Sequence, residues 1–333
     1  MALADFNVDG KLDITVCSET TPKIALLLGI GDGTFRVQQL VDGGPDCSFI
    51  AAADLNGDRI VDLATSNHDA TATVLLGKVG GGFETPISYP VRGPLDFGDS
   101  QWLALADLNG DGALDLVVSV YGGYGPDQAA PGRLAVLINN GSGSFADAVF
   151  YPDRAIIAVV AGDFDRDGKA DVATADFDET VRVFLGDGAG RLGTAAEYPI
   201  DGEGVAIATG DVNGDGVLDL AVGGDNSRTA FILVGKGDGT FDKATKFAAG
   251  NNHAVAIADL DRDGHPDLLS AGYDETFVRL WPGRGDGTFK AEIRFDTNGA
   301  TARGIAAADF NGDSKLDLVV ADAATSVYVI LGK

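Results

Sequence analysis

A nine-residue acidic pattern recurs seven times along this chain of 333 residues. The pattern reads Asp-x-(Asn/Asp)-x-Asp-x-x-x-Asp, and its copies, here called loops 1 to 7, begin at Asp5, Asp54, Asp107, Asp163, Asp211, Asp259 and Asp309. Spacings of 48 to 56 residues between copies are typical of a repeat architecture. The chain is therefore expected to fold as a series of similar units, each with one acidic loop.

The spacing within each loop is typical of a cation site built from oxygen ligands. In loop 5 (211–219), side chains at positions 1, 3, 5 and 9 can converge if the backbone coils tightly, and Gly216 at position 6 supplies a left-handed turn. The carbonyl oxygen of Val217 at position 7 adds a main-chain ligand. A flexible set of six or seven oxygens, which includes three carboxylates, favours Ca²⁺ over Mg²⁺.

We therefore predict up to seven bound Ca²⁺ ions as cofactors. The predicted ligands in the first four loops are Asp5, Asn7, Asp9, Lys11 and Asp13; Asp54, Asn56, Asp58, Ile60 and Asp62; Asp107, Asn109, Asp111, Ala113 and Asp115; Asp163, Asp165, Asp167, Lys169 and Asp171. Those in the last three loops are Asp211, Asn213, Asp215, Val217 and Asp219; Asp259, Asp261, Asp263, His265 and Asp267; Asp309, Asn311, Asp313, Lys315 and Asp317. For a single loop, the alternative is an Asx-rich turn that binds no metal.

Two loops depart from the glycine at position 6. Loop 2 has Arg59 there and loop 7 has Ser314. Because a side chain in the left-handed conformation costs on the order of 1 kcal/mol, these two loops are expected to bind the ion most weakly.

The residues after each loop exclude an EF-hand. An EF-hand needs a glutamate at position 12 and a helix on each side, whereas loop 5 has Val222 there within an apolar run. A dockerin is excluded as well, because it would have two helical copies about twenty residues apart. The loops are therefore expected to connect β-strands.

The segments between the loops predict four strands per repeat. An Ala- and Ile-rich run precedes each loop, as at 49–53, a second apolar run follows it, and a third run such as 133–138 comes after a polar connection. Turns such as Gly-Asp-Gly-Thr-Phe at 31–35 predict a hairpin into a fourth strand. The prediction is an all-β, seven-bladed β-propeller forming one domain over 1–333. Its repeats begin near residues 1, 49, 102, 156, 205, 253 and 303.

These motifs resemble those of the FG-GAP/VCBS repeat family, which includes the propeller of integrin α subunits and related fungal lectins. The resemblance rests on units such as Ala-Asp-Phe-Asn-Gly-Asp-Ser-Lys-Leu-Asp-Leu-Val-Val at 308–320 and covers essentially the whole chain. It implies a calcium-binding propeller whose partners bind on the face opposite the acidic loops. Since family members serve as lectins, adhesion modules and domains of secreted enzymes, the fold does not fix the function.

The formal charge of −26 is largely ligand charge. Three aspartates in every loop and a fourth in two loops make up 23 of the 50 acidic residues, and seven Ca²⁺ ions would leave about −12. Nucleic acid is disfavoured as a partner because no basic stripe is present. Membrane insertion is not expected, because no apolar run approaches about 18 residues.

The two cysteines leave two possibilities open. Cys17 and Cys47 both belong to the first repeat, and either a disulfide or two buried thiols is compatible with the sequence. Calcium loops and a disulfide both suit an extracellular or periplasmic setting. Because the chain starts just before loop 1 without a signal peptide, we expect it to be part of a larger secreted protein.

Catalysis has little support in the sequence. His68, His253 and His265 occupy different repeat positions without a recognisable nucleophile, and the acidic pairs at 178–179 and 274–275 are interpreted as turn residues. The prediction is a non-catalytic binding module with a glycan ligand, or next an extracellular protein ligand. The alternative is the propeller of a secreted polysaccharide lyase or glycoside hydrolase.

The third repeat offers a candidate ligand site. Its long connection at 119–132 contains Tyr121, Tyr124 and Asp127, and the strand before loop 3 contains Trp102. The aromatic side chains could stack on a sugar while Asp127 binds hydroxyl groups. Packing in the core is the competing interpretation for Trp102.

The last blade is expected to have three strands. Met1 to Ala4 can supply only the first strand of blade 1, so blade 7 lacks a fourth strand and closure of the ring rests on face packing between blades 7 and 1. The segment 326–331 then forms an exposed edge of high β-propensity, which predicts an edge-strand dimer.

Overall fold

The fold is all-β and consists of seven antiparallel sheets. The computed structural model describes residues 1–18, 21–92, 99–122, 132–152, 156–224, 228–248, 250, 252–272, 274–297, 299, 301–322 and 326–332. Among these residues there are 27 strands and no helix, so no described helix could cross a membrane. Six sheets have four strands and the last has three. The predicted seven-bladed propeller with a three-stranded last blade is confirmed.

Each sheet is one blade, with strands in chain order. Blade 1 comprises β1 (Ala2–Ala4), β2 (Asp13–Ser18), β3 (Thr21–Gly29) and β4 (Phe35–Asp42). Blade 2 comprises β5 (Cys47–Ala53), β6 (Asp62–Asn67), β7 (Thr71–Leu75) and β8 (Ile87–Pro90). Blade 3 comprises β9 (Asp99–Ala106), β10 (Asp115–Tyr121), β11 (Arg133–Leu137) and β12 (Val149–Pro152). Blade 4 comprises β13 (Ile156–Gly162), β14 (Asp171–Asp176), β15 (Thr180–Phe184) and β16 (Ala196–Pro199).

The remaining three blades follow the same order. Blade 5 comprises β17 (Gly204–Gly210), β18 (Asp219–Gly224), β19 (Thr229–Leu233) and β20 (Thr245–Ala248). Blade 6 comprises β21 (Ala254–Ala258), β22 (Asp267–Ala271), β23 (Phe277–Trp281) and β24 (Ile293–Asp296). Blade 7 comprises β25 (Ala302–Ala308), β26 (Asp317–Asp322) and β27 (Val327–Ile330). In every blade the acidic loop joins the first strand to the second.

The position of a strand in its blade explains its composition. Second strands such as β6, β14 and β18 are buried at every residue, as expected for strands covered on both faces. Fourth strands such as β8 and β16 are largely exposed, and both end in proline, which blocks further pairing at an edge. The acidic loops therefore lead directly into the most buried strands.

The chain divides into two compact units, 1–159 with 186–192, and 160–185 with 193–333. In the first unit, one apolar cluster joins blades 1 and 2 through Ile24, Ile50 and Leu63. In the second unit, Ile232 of blade 5 packs with Trp281 of blade 6. Each unit thus holds its apolar core between neighbouring blades, as propellers do.

A disulfide bond joins Cys17 to Cys47. Cys17 lies near the end of β2 and Cys47 begins β5, so the bond ties blade 1 to blade 2 within the first unit. Of the two possibilities that the sequence left open, the structure contains the disulfide.

The third strand of blade 7 is more exposed than its counterparts. All four residues of β27 are partly exposed, whereas four of the five residues of β23 are buried. The difference arises because β23 pairs with β24 on its outer side, while β27 is the last strand of its sheet.

Candidate metal centres

The first aspartate of each loop holds the backbone in a tight coil. In all seven loops its Oδ2 accepts the backbone N–H of position 6 at 2.7 to 3.0 Å. In loops 2, 3, 5 and 7 its Oδ1 also accepts the N–H of position 4, at 2.7 Å. The carboxylate at position 1 therefore organises the turn as well as offering oxygen to a cation.

Two positions in each loop adopt the left-handed conformation, where one was expected. Besides position 6, position 4 has a positive φ in every loop, with values from 60° to 78°. At positions 4 and 6 of the seven loops, the left-handed residues other than glycine are Val8, Arg59, Arg166, Arg262 and Ser314. Arg59 and Ser314 are left-handed as predicted, but loops 1, 4 and 6 carry a comparable departure at position 4. Backbone strain therefore does not single out loops 2 and 7.

The aspartate at position 9 of each loop connects the loop to the third strand through hydrogen bonds, an arrangement here called the latch. In all seven loops this side chain is fully buried, and its Oδ2 accepts the N–H of position 2 at 2.8 or 2.9 Å. In loops 1, 2, 3, 5, 6 and 7 its Oδ1 accepts an N–H at or near the end of the third strand, at 2.6 to 2.9 Å. Sequence reasoning assigned this residue to the metal and missed its role in the fold.

A signal for this latch was present in the sequence. Glycine follows the third apolar run in most repeats, as at Gly77, Gly235 and Gly283. A Cβ atom at any of these three would lie 2.3 or 2.4 Å from the carbonyl oxygen of position 8 in the same repeat's loop. The glycines are needed because the latch brings the two backbones into close approach.

In loops 1, 2, 3, 5 and 6, burial of the carboxylate at position 9 raises its pKa and so favours its protonated form. The pKa of Asp219 is raised to about 6, chiefly by desolvation and to a lesser extent by the carboxylates of Asp215 and Asp211, against two backbone hydrogen bonds that lower it. The pKa values of the ninth aspartates in loops 1, 2, 3 and 6 are raised, with desolvation as the largest cause. A bound cation would favour the charged form of all these groups.

Loops 4 and 6 bring three carboxylates together. Asp163, Asp165 and Asp171 offer ligand atoms within 4.8 Å of one another, and so do Asp259, Asp261 and Asp267. In loop 6, Oδ1 of Asp259 is buried and has no hydrogen-bond partner among the residues that the structure describes. An unpaired buried carboxylate oxygen is costly unless an ion occupies its free side.

The aspartates at position 5 of these two loops form ion pairs with lysines. The carboxylate of Asp167 lies 2.5 Å from the ammonium of Lys169, and that of Asp263 lies 2.9 Å from the ammonium of Lys290. These exposed ion pairs hold a positive charge beside the loops that have four carboxylates.

The loops with asparagine at position 3 are closed by their own hydrogen bonds. In loop 5, the Oδ1 of Asn213 accepts the N–H of Asp215 at 2.9 Å, and its Nδ2 donates to the Asp215 carboxylate at 3.1 Å. Loops 1, 2 and 3 have the same pair of bonds. In these loops the side chains at positions 3 and 5 are hydrogen-bonded to each other without a cation. This arrangement is what the alternative interpretation of a single loop, an Asx-rich turn that binds no metal, would predict.

The acidic loops also contact the next blade. Gly239, in the β19–β20 hairpin of blade 5, donates its N–H to the carbonyl of Phe164 in loop 4 at 3.1 Å. In the same interface, the hydroxyl of Tyr198 accepts the N–H of Phe241 at 3.3 Å. In this interface the Gly-Asp-Gly turn and the Tyr-Pro end of β16, recognised from sequence only as strand signals, therefore link blade 4 to blade 5.

The proposed ligand residues are only partly described. Trp102 stacks on Phe49 with ring centroids 4.6 Å apart and an interplanar angle of 24°, which favours packing for this side chain. Tyr121 ends β10 and is half-buried. Tyr124 and Asp127 lie outside the described residues.

The acidic pairs in the connections between second and third strands serve the fold. Asp176 accepts the N–H of Asp178 at 2.9 Å, and Glu179 is left-handed with φ 59°. Glu275 forms an ion pair with the buried Arg279. These contacts agree with their interpretation as turn residues.

Comparison with known sequences identifies the repeat. The sequence profile described as "FG-GAP-like repeat" matches residues 5–65, 54–118, 124–174, 163–222, 211–270 and 259–320. A second profile, described as "FG-GAP repeat", matches residues 101–137. No curated protein sequence gives a significant match over the chain.

Solved structures of similar fold are distant in sequence. The structure of BBS1N in complex with ARL6DN, soaked with lead, has a TM-score of 0.68 and 11% identity, covering 99% of this chain and 91% of that one. The mercury-soaked form has a TM-score of 0.65 and 10% identity, covering 99% of this chain and 90% of that one. The Dos1 propeller has a TM-score of 0.57 and 12% identity, covering 94% of this chain and 76% of that one. At these identities the likeness shows the fold alone.

Proposed function

This chain belongs to the FG-GAP repeat family, and we propose that it is a calcium-organised, non-catalytic binding module. Ca²⁺ ions would occupy the acidic loops through positions 1, 3, 5 and 9 and the carbonyl of position 7. They would hold the loops that connect first and second strands, leaving the opposite connections to bind a ligand.

The observation that carries the calcium proposal is the unpaired Oδ1 of Asp259. Asp259 offers a carboxylate oxygen within 4.8 Å of those of Asp261 and Asp267, and these three groups repel one another when no cation is present. The donor set is all oxygen and strongly negative, which suits a hard divalent ion. Loop 6 is therefore the site where a cation would relieve the largest imbalance.

Calcium titration of the metal-free chain by calorimetry tests this proposal. We expect saturable binding of up to seven ions and a rise in melting temperature on the order of 10 °C, because ligand binding to the folded state alone stabilises it. Asp259→Asn should remove one ion from the stoichiometry. Asp322→Asn, at the far end of β26, is the matched control and should leave the stoichiometry unchanged. No heat of binding and an unchanged melting temperature would contradict the proposal.

Carbohydrate is the ligand class that we propose, bound at the long connection of blade 3. Tyr121 supports this assignment, since it places an aromatic ring where β10 enters that connection. A glycan array with and without Ca²⁺ would identify the ligand. Tyr124→Ala should then abolish binding of that glycan with little change in stability, and retained binding after changes at both tyrosines would place the site elsewhere.

A protein ligand is the second candidate. The structurally similar BBS1N was crystallised in complex with a protein, ARL6DN, so this fold can present a protein-binding surface. An empty glycan array together with capture of a cell-surface protein would favour this candidate. The disulfide between Cys17 and Cys47 supports an extracellular or periplasmic site of action in either case.

A further inference from the structure

Four of the seven loops contain the dipeptide Asn-Gly at positions 3 and 4. The asparagines are Asn56, Asn109, Asn213 and Asn311. Asparagine before glycine is prone to deamidation, because no side chain hinders attack by the glycine nitrogen on the carboxamide. We propose that these four asparagines are modification sites, protected while the loop is closed and deamidated when it opens.

The closed loop occupies the attacking nitrogen. In all four loops the glycine N–H donates to the Oδ1 of position 1 at 2.7 Å. Attack requires this nitrogen to lose its proton and turn towards the asparagine side chain. The short bond to a carboxylate opposes both changes, since it stabilises the N–H where it is.

The closed loop also fixes the carboxamide. In all four loops the asparagine Oδ1 accepts the N–H of position 5 at 2.9 Å. In loops 2, 3 and 5 its Nδ2 donates to the carboxylate of position 5 at 2.9 to 3.1 Å. Rotation of Cγ towards the glycine nitrogen requires these bonds to break, so reaction depends on local opening of the loop.

The chemistry needs only water. The glycine nitrogen forms a bond to the asparagine Cγ, its proton is transferred, and ammonia leaves to give a cyclic succinimide. Water then opens the ring at one of its two carbonyls. One product is aspartate, and the other is isoaspartate, in which the main chain runs through the side-chain carbonyl and is one atom longer.

Either product changes the loop. Aspartate at position 3 gives the four carboxylates that loops 4 and 6 already have, with Asp165 and Asp261 at that position. Isoaspartate lengthens the coil between positions 3 and 4, so the ligands can no longer converge in the same register. Control of the reaction by calcium rests on the proposed function, whereas protection by the folded loop does not.

The experiment follows deamidation at each asparagine by peptide mass spectrometry during incubation at neutral to mildly alkaline pH. The arms are the chain with CaCl₂, the chain in chelator and the chain unfolded in urea. Ca²⁺ at 100 times its dissociation constant should slow reaction in the four loops about 100-fold relative to chelator, because it lowers the open population by that factor. Asn140-Gly141, in the β11–β12 hairpin outside the loops, is the matched control and should not respond to calcium.

A gain-of-site variant provides a second test. Loop 1 has Asn7 followed by Val8, which is 61% exposed and left-handed with φ 60°. Val8→Gly relieves that conformation and should create a fifth site in chelator, whereas Asn7 of the unchanged chain stays intact. Equal rates with and without calcium, both far below the urea rate, would support protection by the fold and count against calcium control. Two results would overturn the proposal. One is deamidation of the loop asparagines in the folded chain as fast as in urea, and the other is a Val8→Gly variant whose Asn7 does not deamidate in chelator.

Discussion

Loops 5 and 6 lie in the same compact unit and have the same length, but they balance their charges differently. Loop 5 has Asn213 at position 3, whose carboxamide bridges to Asp215 with two hydrogen bonds. Loop 6 has Asp261 there, and within the described part of the chain the Oδ1 of Asp259 has no hydrogen-bond partner. Loop 6 has the same backbone closure as loop 5, with Asp261 accepting the N–H of Asp263 at 3.1 Å, but its side chains lack the carboxamide bridge that neutralises part of the charge in loop 5.

The largest effect should come from the feature that both loops share, the latch at position 9. Asp219→Ala leaves the N–H groups of Val212 and Gly235 buried without acceptors, and should lower the free energy of unfolding by about 2–5 kcal/mol. Asp215→Ala, at the exposed position 5, is the control and should cost less than about 1 kcal/mol in metal-free protein. Urea denaturation measures both, and equal losses would refute the latch.

The pH dependence should separate the metal-free from the calcium-bound protein. Burial raises the pKa of Asp219 to about 6, so the metal-free folded state gains stability from this group at low pH and loses it as pH rises through about 6. Bound calcium favours the carboxylate, so protons compete with it and low pH should weaken the calcium-bound form. Melting in metal-free buffer at pH 5 and pH 7.5 tests the sign. An Asp219→Asn variant with the same pH slope as the unchanged chain would count against this assignment.

Exchanging position 3 between the loops tests the comparison itself. Asp261→Asn should stabilise the metal-free protein by about 1 kcal/mol, since it removes a repelling charge and allows a bond to Asp263. The same change should weaken calcium binding at loop 6, and Asn213→Asp should act in the opposite sense at loop 5. If both exchanges shift stability in the same direction, the difference between the loops has another origin.

Smaller effects are expected from the left-handed residues. Arg59→Gly at position 6 and Arg166→Gly at position 4 should each stabilise the fold by about 0.5–1 kcal/mol and strengthen calcium binding in their own loops. Similar gains in stability from the two substitutions would confirm that a residue other than glycine is equally unfavourable at position 4 and at position 6. A gain at Arg59 alone would restore the ranking predicted from sequence, in which loops 2 and 7 are weakest.

The smallest effect concerns self-association through β27. Its four residues are partly exposed and uncharged, so we expect weak, concentration-dependent dimerisation of the 333-residue chain. Val329→Lys should abolish it without changing the melting temperature much, whereas Val278→Lys in the buried β23 should unfold blade 6. A strictly monomeric chain in sedimentation at high concentration would exclude the edge contact.

The sequence was sufficient to predict the propeller because the repeat places loop, strands and hairpin in a fixed order. It predicted the left-handed Arg59 and Ser314, since glycine at position 6 in the other repeats indicated the required backbone. Position 4 was missed because Val8, Arg166 and Arg262 obscure its preference for glycine.

Other features depend on packing between segments far apart in sequence. The latch of Asp219 to Gly235 and the bond from Gly239 to Phe164 join residues whose proximity follows only once the strands have paired. The environment of the Asp259 Oδ1 likewise could not be predicted from sequence, because loops 5 and 6 match the same nine-residue pattern. Sequence therefore predicts which residues can bind a cation, and the structure adds where a buried carboxylate oxygen has no hydrogen-bond partner among the described residues.

A crystal structure of the chain grown with CaCl₂ tests the central claim most directly. The account predicts an ion in loop 6 coordinated by Asp259, Asp261, Asp263 and Asp267 and by the carbonyl of His265, with oxygen distances of about 2.3–2.6 Å. Lys290 should then have released Asp263. Loop 6 without an ion at saturating calcium, with water alone beside the Oδ1 of Asp259, would contradict it.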